Sequence, residues 1–290
     1  MKKIGFIGLG NMGSKMCVHL VKGGHTVSGF DINKKLIDEL VDKGIKREDS
    51  ISDISKNKDI IITMLPNGSI VHEVLKEVIS QTLNTPTIVD CSTIDVNTSK
   101  KMYELALLKN ISLLDAPVSG GTMGANNGTL TFMVGGNATT FDEMSPLFNL
   151  MGSKALFCGD AGAGQATKLC NNMLLATTMI GVGESFNMAK KLNLDLNILY
   201  EVISTATGSC WAVDNYCPIN NVGPQSPADN DFLPGFSAKL MSKDLKLAVN
   251  AANESGSNII FGKKSEELFT KMAQGMNGEK DFSAIIKEIE

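Results

Sequence analysis

The sequence predicts an α/β Rossmann-type doubly wound sheet followed by an all-α C-terminal domain, the two joined by a long central helix. Three observations carry this expectation. Short apolar runs alternate with amphipathic runs up to about residue 160, the rhythm of successive βαβ units. The run Asp59-Ile60-Ile61-Ile62-Thr63-Met64-Leu65 is too apolar for a surface strand and suits a parallel strand covered on both faces. From Gln165 to Leu192 there is no proline, and apolar residues recur at helical spacing.

In chain order, strands are expected over 4–7, 26–30, 59–65, 87–91 and 111–114. Helices are expected over 11–22, 33–43, 70–79 and 98–108. Segments 130–134 and 155–158 read as further strands at the sheet edge. The run 165–192 reads as one helix of roughly 40 Å, at about 1.5 Å per residue. Helical patterns follow at 196–204, 238–254, 262–274 and 281–289. Between Ala206 and Gly235 lies a segment with four of the chain's eight prolines and its only tryptophan, Trp211. Its aromatic residues favour an ordered, functional loop.

The 290 residues suggest two domains at a prior of about 150 residues each. The change of texture places them at 1–162 and 163–290. Hydrophobic residues are 43% and charged residues 20%, which excludes a disordered or collagen-like chain. Net charge is -4 and no lysine or arginine run exceeds two residues, so no nucleic-acid partner is expected. No stretch approaches the ~18 apolar residues of a membrane helix. The six cysteines form no C-x-x-C pair and the three histidines lie away from them, so neither a metal site nor a disulfide framework is expected. A reducing compartment follows, the cytoplasm or, for a processed chain, the mitochondrial matrix. Met1-Lys2-Lys3 and the apolar residues after it imitate a signal peptide, but glycines interrupt the run and no small-residue cleavage site follows.

Gly8-Leu9-Gly10-Asn11-Met12-Gly13 is a G-x-G-x-x-G turn that follows a strand, opens a helix and sits in a βαβ unit. In that setting Gly8 permits the turn, Gly10 lets a pyrophosphate approach, and Gly13 lets helix pack on strand. Asp31 ends the second strand, where a carboxylate accepts from the adenosine ribose and repels a 2′-phosphate. NAD is therefore expected over NADP, although Lys34 and Lys35 follow closely. Leu65-Pro66 and Thr93 lie past the ends of later strands, where parallel sheets bind ligands.

Oxidising an alcohol requires a group that takes the hydroxyl proton. His19, His25 and His72 fall in no polar cluster. Lys168 is the better candidate, in the first turns of the long helix where the two halves meet, with Asn172 on the same face four residues later. A free lysine of pKa ~10.4 is neutral in only about one molecule in 2,500 at pH 7, so the role needs desolvation, a nearby cation such as Lys243, or the positive helix end. A surface lysine is the plain alternative. Ser119-Gly120-Gly121 also follows a strand and reads as a cradle for a small carboxylate or as an ordinary glycine turn.

Together these residues make the chain similar to the β-hydroxyacid dehydrogenase family, from about Lys3 to Ile289. Phe6 to Gly13 resembles the family's N-terminal signature. Asp115-Ala116-Pro117-Val118-Ser119-Gly120-Gly121 resembles its substrate motif, Gly164 through Lys168 to Asn172 its catalytic motif, and Lys243-Asp244-Leu245 its C-terminal one. The chain departs at Ile70, where close relatives carry asparagine. The resemblance implies reversible NAD-dependent oxidation of 3-hydroxyisobutyrate to methylmalonate semialdehyde, favoured within the family by the stretches around Trp211, Tyr216, Phe236 and Phe282.

By that resemblance Lys168 is the general acid/base, Asn172 orients it or the substrate, and Ser119, Gly120 and Gly121 hold the carboxylate. Thr93 and Lys243 position the nicotinamide end, and Trp211 and Phe236 wall the pocket. A homodimer or homotetramer packed through the central helix is also implied. The alternatives are a family reductase of tartronate semialdehyde, glyoxylate or succinic semialdehyde, and a non-catalytic dinucleotide-binding scaffold.

Overall fold

The structure is a computed structural model that describes residues 1–289, and the chain divides into two compact units, Met1–Lys168 and Leu169–Glu290. The first unit is built on a nine-stranded sheet. Strand β1 (Lys3–Ile7) lies inside it, with a hydrogen-bonded strand on either side, and leads into helix α1 (Gly13–Lys22). The chain then runs outward through β2 (Thr26–Phe30), α2 (Lys34–Val41), β3 (Lys46–Arg47) and the short α3 (Ile51–Ile54). It next crosses β1 to form β4 (Ile60–Thr63), α4 (Gly68–Gln81), β5 (Thr87–Asp90), α5 (Val96–Leu107) and β6 (Leu113–Asp115). The strand order β3-β2-β1-β4-β5-β6 is parallel throughout, and β1 and β4 flank the point where its direction of growth reverses.

Beyond β6 come β7 (Val118–Ser119), α6 (Gly121–Asn127), β8 (Leu130–Gly135), α7 (Ala138–Met151) and β9 (Gly152–Gly159). Strand β8 runs antiparallel to β6 and β7 and parallel to β9.

The apolar strands are apolar because both faces are covered. In β4, Ile60 and Ile62 enter the core on one face of the sheet, with Phe6, Met16 and Val89. Ile61 enters the core on the other face, with Ile7, Val71, Leu75 and Ile88. Burying each such side chain contributes about 1.5–3 kcal/mol, so an unbroken isoleucine run is what this position selects.

Helix α8 (Ala163–Lys191) starts in the first unit and continues into the second. There it is followed by α9 (Leu196–Thr205), α10 (Trp211–Asp214), α11 (Ala238–Ser255) and α12 (Ile260–Gln274). A second core gathers Met179, Phe186, Val213, Met241, Phe269 and Phe282. The segment expected as a helix over 281–289 is instead a 3-10 turn, Phe282–Glu288, entered through Asp281. The long 206–235 segment is ordered by α10, by a 3-10 turn at Pro227–Asn230, and by Asp281. That carboxylate accepts from the Tyr216 hydroxyl and from the Gly235 and Phe236 N–H groups.

Sequence periodicity did not foresee β3, β7, α3, α6 or α7. Four of them are only two to seven residues long, and α7 carries Pro146 inside it.

Candidate active site

The glycine turn leaves the end of β1, and each glycine answers to a different constraint. Gly8 has φ +93, and a Cβ there would lie 2.2 Å from the Met64 carbonyl oxygen. A Cβ on Gly13 would lie 2.0 Å from the Gly8 carbonyl oxygen, so α1 seats on the turn only without a side chain. A Cβ on exposed Gly10 would meet no protein atom within 4 Å. Folding thus fixes the first and last glycines, whereas the middle one keeps open a space outside the protein. A pyrophosphate approaching the start of α1 fits that arrangement.

Asp31, just past β2, closes the turn from the other side. One carboxylate oxygen accepts the Leu9 N–H at 2.7 Å and the other the Asn33 N–H at 2.8 Å. A carboxylate has about four acceptor positions, so a half-buried Asp31 retains capacity for a ribose hydroxyl. Asn11, Met12, Leu65, Pro66 and Thr93 stand on the loops at the ends of β1, β4 and β5, all at the carboxyl edge of the sheet. Ile70 lies in the first turn of α4, its N–H taken by the Asn67 side chain at 3.0 Å.

Behind these loops lies a buried polar system that the sequence pattern left without a role. Asp90, at the end of β5, accepts the Thr63 hydroxyl (2.7 Å), the Ser92 N–H (3.1 Å) and the Ser92 hydroxyl (2.6 Å) on one oxygen. The Ser92 hydroxyl oxygen accepts the Leu65 N–H at 2.8 Å. Burial pushes the Asp90 carboxyl up to about 6, against the pull of the Ser92 and Thr63 hydrogen bonds. Asp115, at the end of β6, accepts the Gly162 N–H at 2.8 Å on one oxygen and the Gln165 N–H at 2.9 Å on the other. Its carboxyl is likewise raised by burial and opposed by those backbone donors. The signal for both was present in the sequence, an aspartate ending a strand that is otherwise apolar.

Lys168 sits in the second turn of α8 and is only 7% exposed. At the start of this helix the Asp115 carboxyl group accepts the Gly162 and Gln165 N–H groups. Ser119 ends β7, and Gly120 and Gly121 follow with φ +130 and +62. No side chain caps α6 at this point.

In the second unit, buried Asn172 donates from Nδ2 to Asp244 Oδ2 at 2.6 Å and accepts from Asn171 Nδ2 at 3.0 Å. The other Asp244 oxygen has no hydrogen-bond donor but lies 3.4 Å from Lys243 Nζ. Asn172 is therefore oriented by Asp244, a partner the motif spacing did not suggest. Trp211 is 51% exposed and stacks on Tyr216 (5.0 Å between centroids), which stacks on Phe282 (5.5 Å). Phe236 meets the same Phe282 edge-on at 6.0 Å. One aromatic ladder thus carries both residues expected to wall the pocket.

Comparison with known proteins identifies the family. Residues 3–159 match the family described as the NAD binding domain of 6-phosphogluconate dehydrogenase. Residues 162–289 match the NAD-binding family of NADP-dependent 3-hydroxyisobutyrate dehydrogenase. The mitochondrial 3-hydroxyisobutyrate dehydrogenase of Drosophila melanogaster is 43% identical over 98% of this chain and 88% of its own length. An NAD-dependent L-serine dehydrogenase of Pseudomonas aeruginosa is 38% identical, covering 99% of this chain and 97% of its own. The solved 3-hydroxyisobutyrate dehydrogenase of Mycobacterium tuberculosis, with L-serine, superimposes at a TM-score of 0.96 and 41% identity, over 100% of this chain and 99% of that one. The chain belongs to the β-hydroxyacid dehydrogenase family, NAD-dependent oxidoreductases that include the 3-hydroxyisobutyrate dehydrogenases.

Proposed function

We propose that the chain catalyses the reversible NAD-dependent oxidation of 3-hydroxyisobutyrate to methylmalonate semialdehyde, with Lys168 as general acid/base. The observation that carries this reading is a lysine 7% exposed in the second turn of α8, in a chain 43% identical to a dehydrogenase of that substrate. NAD, when bound, takes up the hydride in oxidation and returns it in reduction. Gly8 to Gly13, Asp31, Leu65, Pro66, Thr93 and Lys243 hold it. Lys168 Nζ accepts the hydroxyl proton, which requires the neutral amine. Asn172 is the orienting residue. Ser119, Gly120 and Gly121 take the carboxylate, and Trp211 and Phe236 exclude water beside the substrate methyl.

In Lys168→Ala, kcat falls roughly 100- to 10,000-fold while NAD still binds; near-normal turnover overturns the role. A second reading is favoured by the Pseudomonas aeruginosa relative named for L-serine. L-Serine has the same hydroxymethyl and carboxylate groups but an ammonium where 3-hydroxyisobutyrate has a methyl. NADH absorbance with both compounds, tartronate semialdehyde, glyoxylate and succinic semialdehyde, each with both cofactors, separates the readings. NAD binding without turnover of any of them supports a non-catalytic scaffold.

The chain is a homodimer or homotetramer in this reading. In support, Leu174, Met188 and Leu192 on or just after α8, and Ile198 and Val202 on α9, are all more than half exposed. Helix α9 buries no residue fully although it is largely apolar. All six cysteines are thiols, which favours a reducing compartment, the cytoplasm or the mitochondrial matrix. No helix among the described residues is long and apolar enough to cross a membrane.

A further inference from the structure

Gln165 is fully buried in the first turn of α8, three residues before Lys168. Both ends of its carboxamide are used on one loop. Nε2 donates to the Ser92 carbonyl at 2.8 Å, and Oε1 accepts the Ile94 N–H at 3.0 Å. These two groups flank Thr93, so the side chain pairs with the main chain on either side of that residue, as a neighbouring strand would. The loop is tied in turn to the end of β4, because the Ser92 hydroxyl oxygen accepts the Leu65 N–H at 2.8 Å. The Gln165 backbone N–H is held by Asp115 at 2.9 Å, which fixes the helix start against the sheet. All of these groups lie in the first unit.

We propose that Gln165 is a positioning residue for the reaction: its carboxamide holds the Thr93 loop in register with Lys168. The helix that carries the acid/base group and the loop that carries a cofactor-side residue then cannot shift independently. The inference rests on the reading of Lys168 given above. A misplacement of about 1 Å between reacting groups costs on the order of 100-fold in rate, so a device that fixes this spacing acts on kcat more than on affinity.

Gln165→Met keeps the length and removes both hydrogen bonds. In the NAD-free protein the Ile94 amide should then exchange with solvent about tenfold faster or more. In the holoenzyme kcat should fall roughly 10- to 100-fold, and the KM values for NAD and hydroxy acid should change by less than about threefold. The isotope effect on kcat with substrate deuterated at the alcohol carbon should rise, because hydride transfer becomes slower relative to release. A filler of the core would lower the melting temperature and leave that isotope effect unchanged.

Gln165→Glu tests the role independently should the methionine variant fail to fold. When protonated, the carboxyl donates to the Ser92 carbonyl and accepts from Ile94 as the amide does; when ionised it repels that carbonyl. Its kcat relative to wild type should therefore recover as pH falls. A Gln165→Glu profile parallel to wild type overturns the proposal, as does folded Gln165→Met with kcat and isotope effect within twofold of wild type. Retained turnover in Lys168→Ala overturns the acid/base reading and the positioning role with it. An inactive Lys168→Ala beside a normal Gln165→Met overturns the positioning role alone.

Discussion

Asp31 and Asp90 occupy equivalent places in the topology, each at the carboxyl end of a parallel strand, yet they serve opposite ends. Asp31 stands at the half-buried rim, binds only backbone N–H groups, and keeps acceptor capacity free for a ligand. Asp90 is 2% exposed and gathers two hydroxyls and an N–H on one oxygen. The difference is depth. A carboxylate in contact with water can serve a cofactor; one sealed beneath the loops organises the protein that serves it.

The largest effect that tests this contrast is pH-dependent. The unfolded chain ionises Asp90 near the ordinary 3.8, whereas the folded protein holds its proton up to about 6. The folded state therefore binds more protons between those values, and its stability falls as pH rises through that window, by about 3 kcal/mol in all. Asp90→Asn removes this group. Urea unfolding from pH 4 to 7.5 should show the variant gaining on wild type by about that amount, and a constant difference would contradict the buried, proton-holding role. The rim predicts a smaller effect on binding. Asp31→Ala should raise the Kd for NAD about tenfold, or about 1.4 kcal/mol, and narrow the preference for NAD over NADP; titration by NADH fluorescence measures both. A wild type that already turns over faster with NADP would contradict the role of Asp31. The smallest effect is at Gly10. Its Cβ meets no protein atom, so Gly10→Ala should leave apo stability within about 0.5 kcal/mol while weakening NAD binding. A large loss of apo stability would show that this glycine serves the fold instead of the ligand.

The same contrast explains how much could be read from the sequence. The alternation of apolar runs, the unbroken isoleucines of β4 and the glycine spacing are local consequences of a sheet covered on both faces, so the Rossmann-type unit and α8 were legible. Asp31 was legible because it stands at a fixed distance from the glycine turn. The strand-ending position of Asp90 was visible, but the partners of Gln165 and Asn172 were not. Gln165 acts on Ile94 across 71 positions and Asn172 on Asp244 across 72, and no periodicity encodes such partners. Short elements such as β3 and α6 escaped for a different reason, since they are held by their surroundings and not by their own propensity.

Helix α8 starts at a depth set by the absence of two methyl groups. A Cβ on Gly164 would lie 2.3 Å from the Met133 carbonyl oxygen, and one on Gly135 would lie 2.8 Å from the Gly164 nitrogen. Either methyl would act as a shim under the helix, lifting its first turn off the sheet and carrying the amine of Lys168 away with it. The seating of this helix is therefore machined to a tolerance of a single carbon atom, at two glycines.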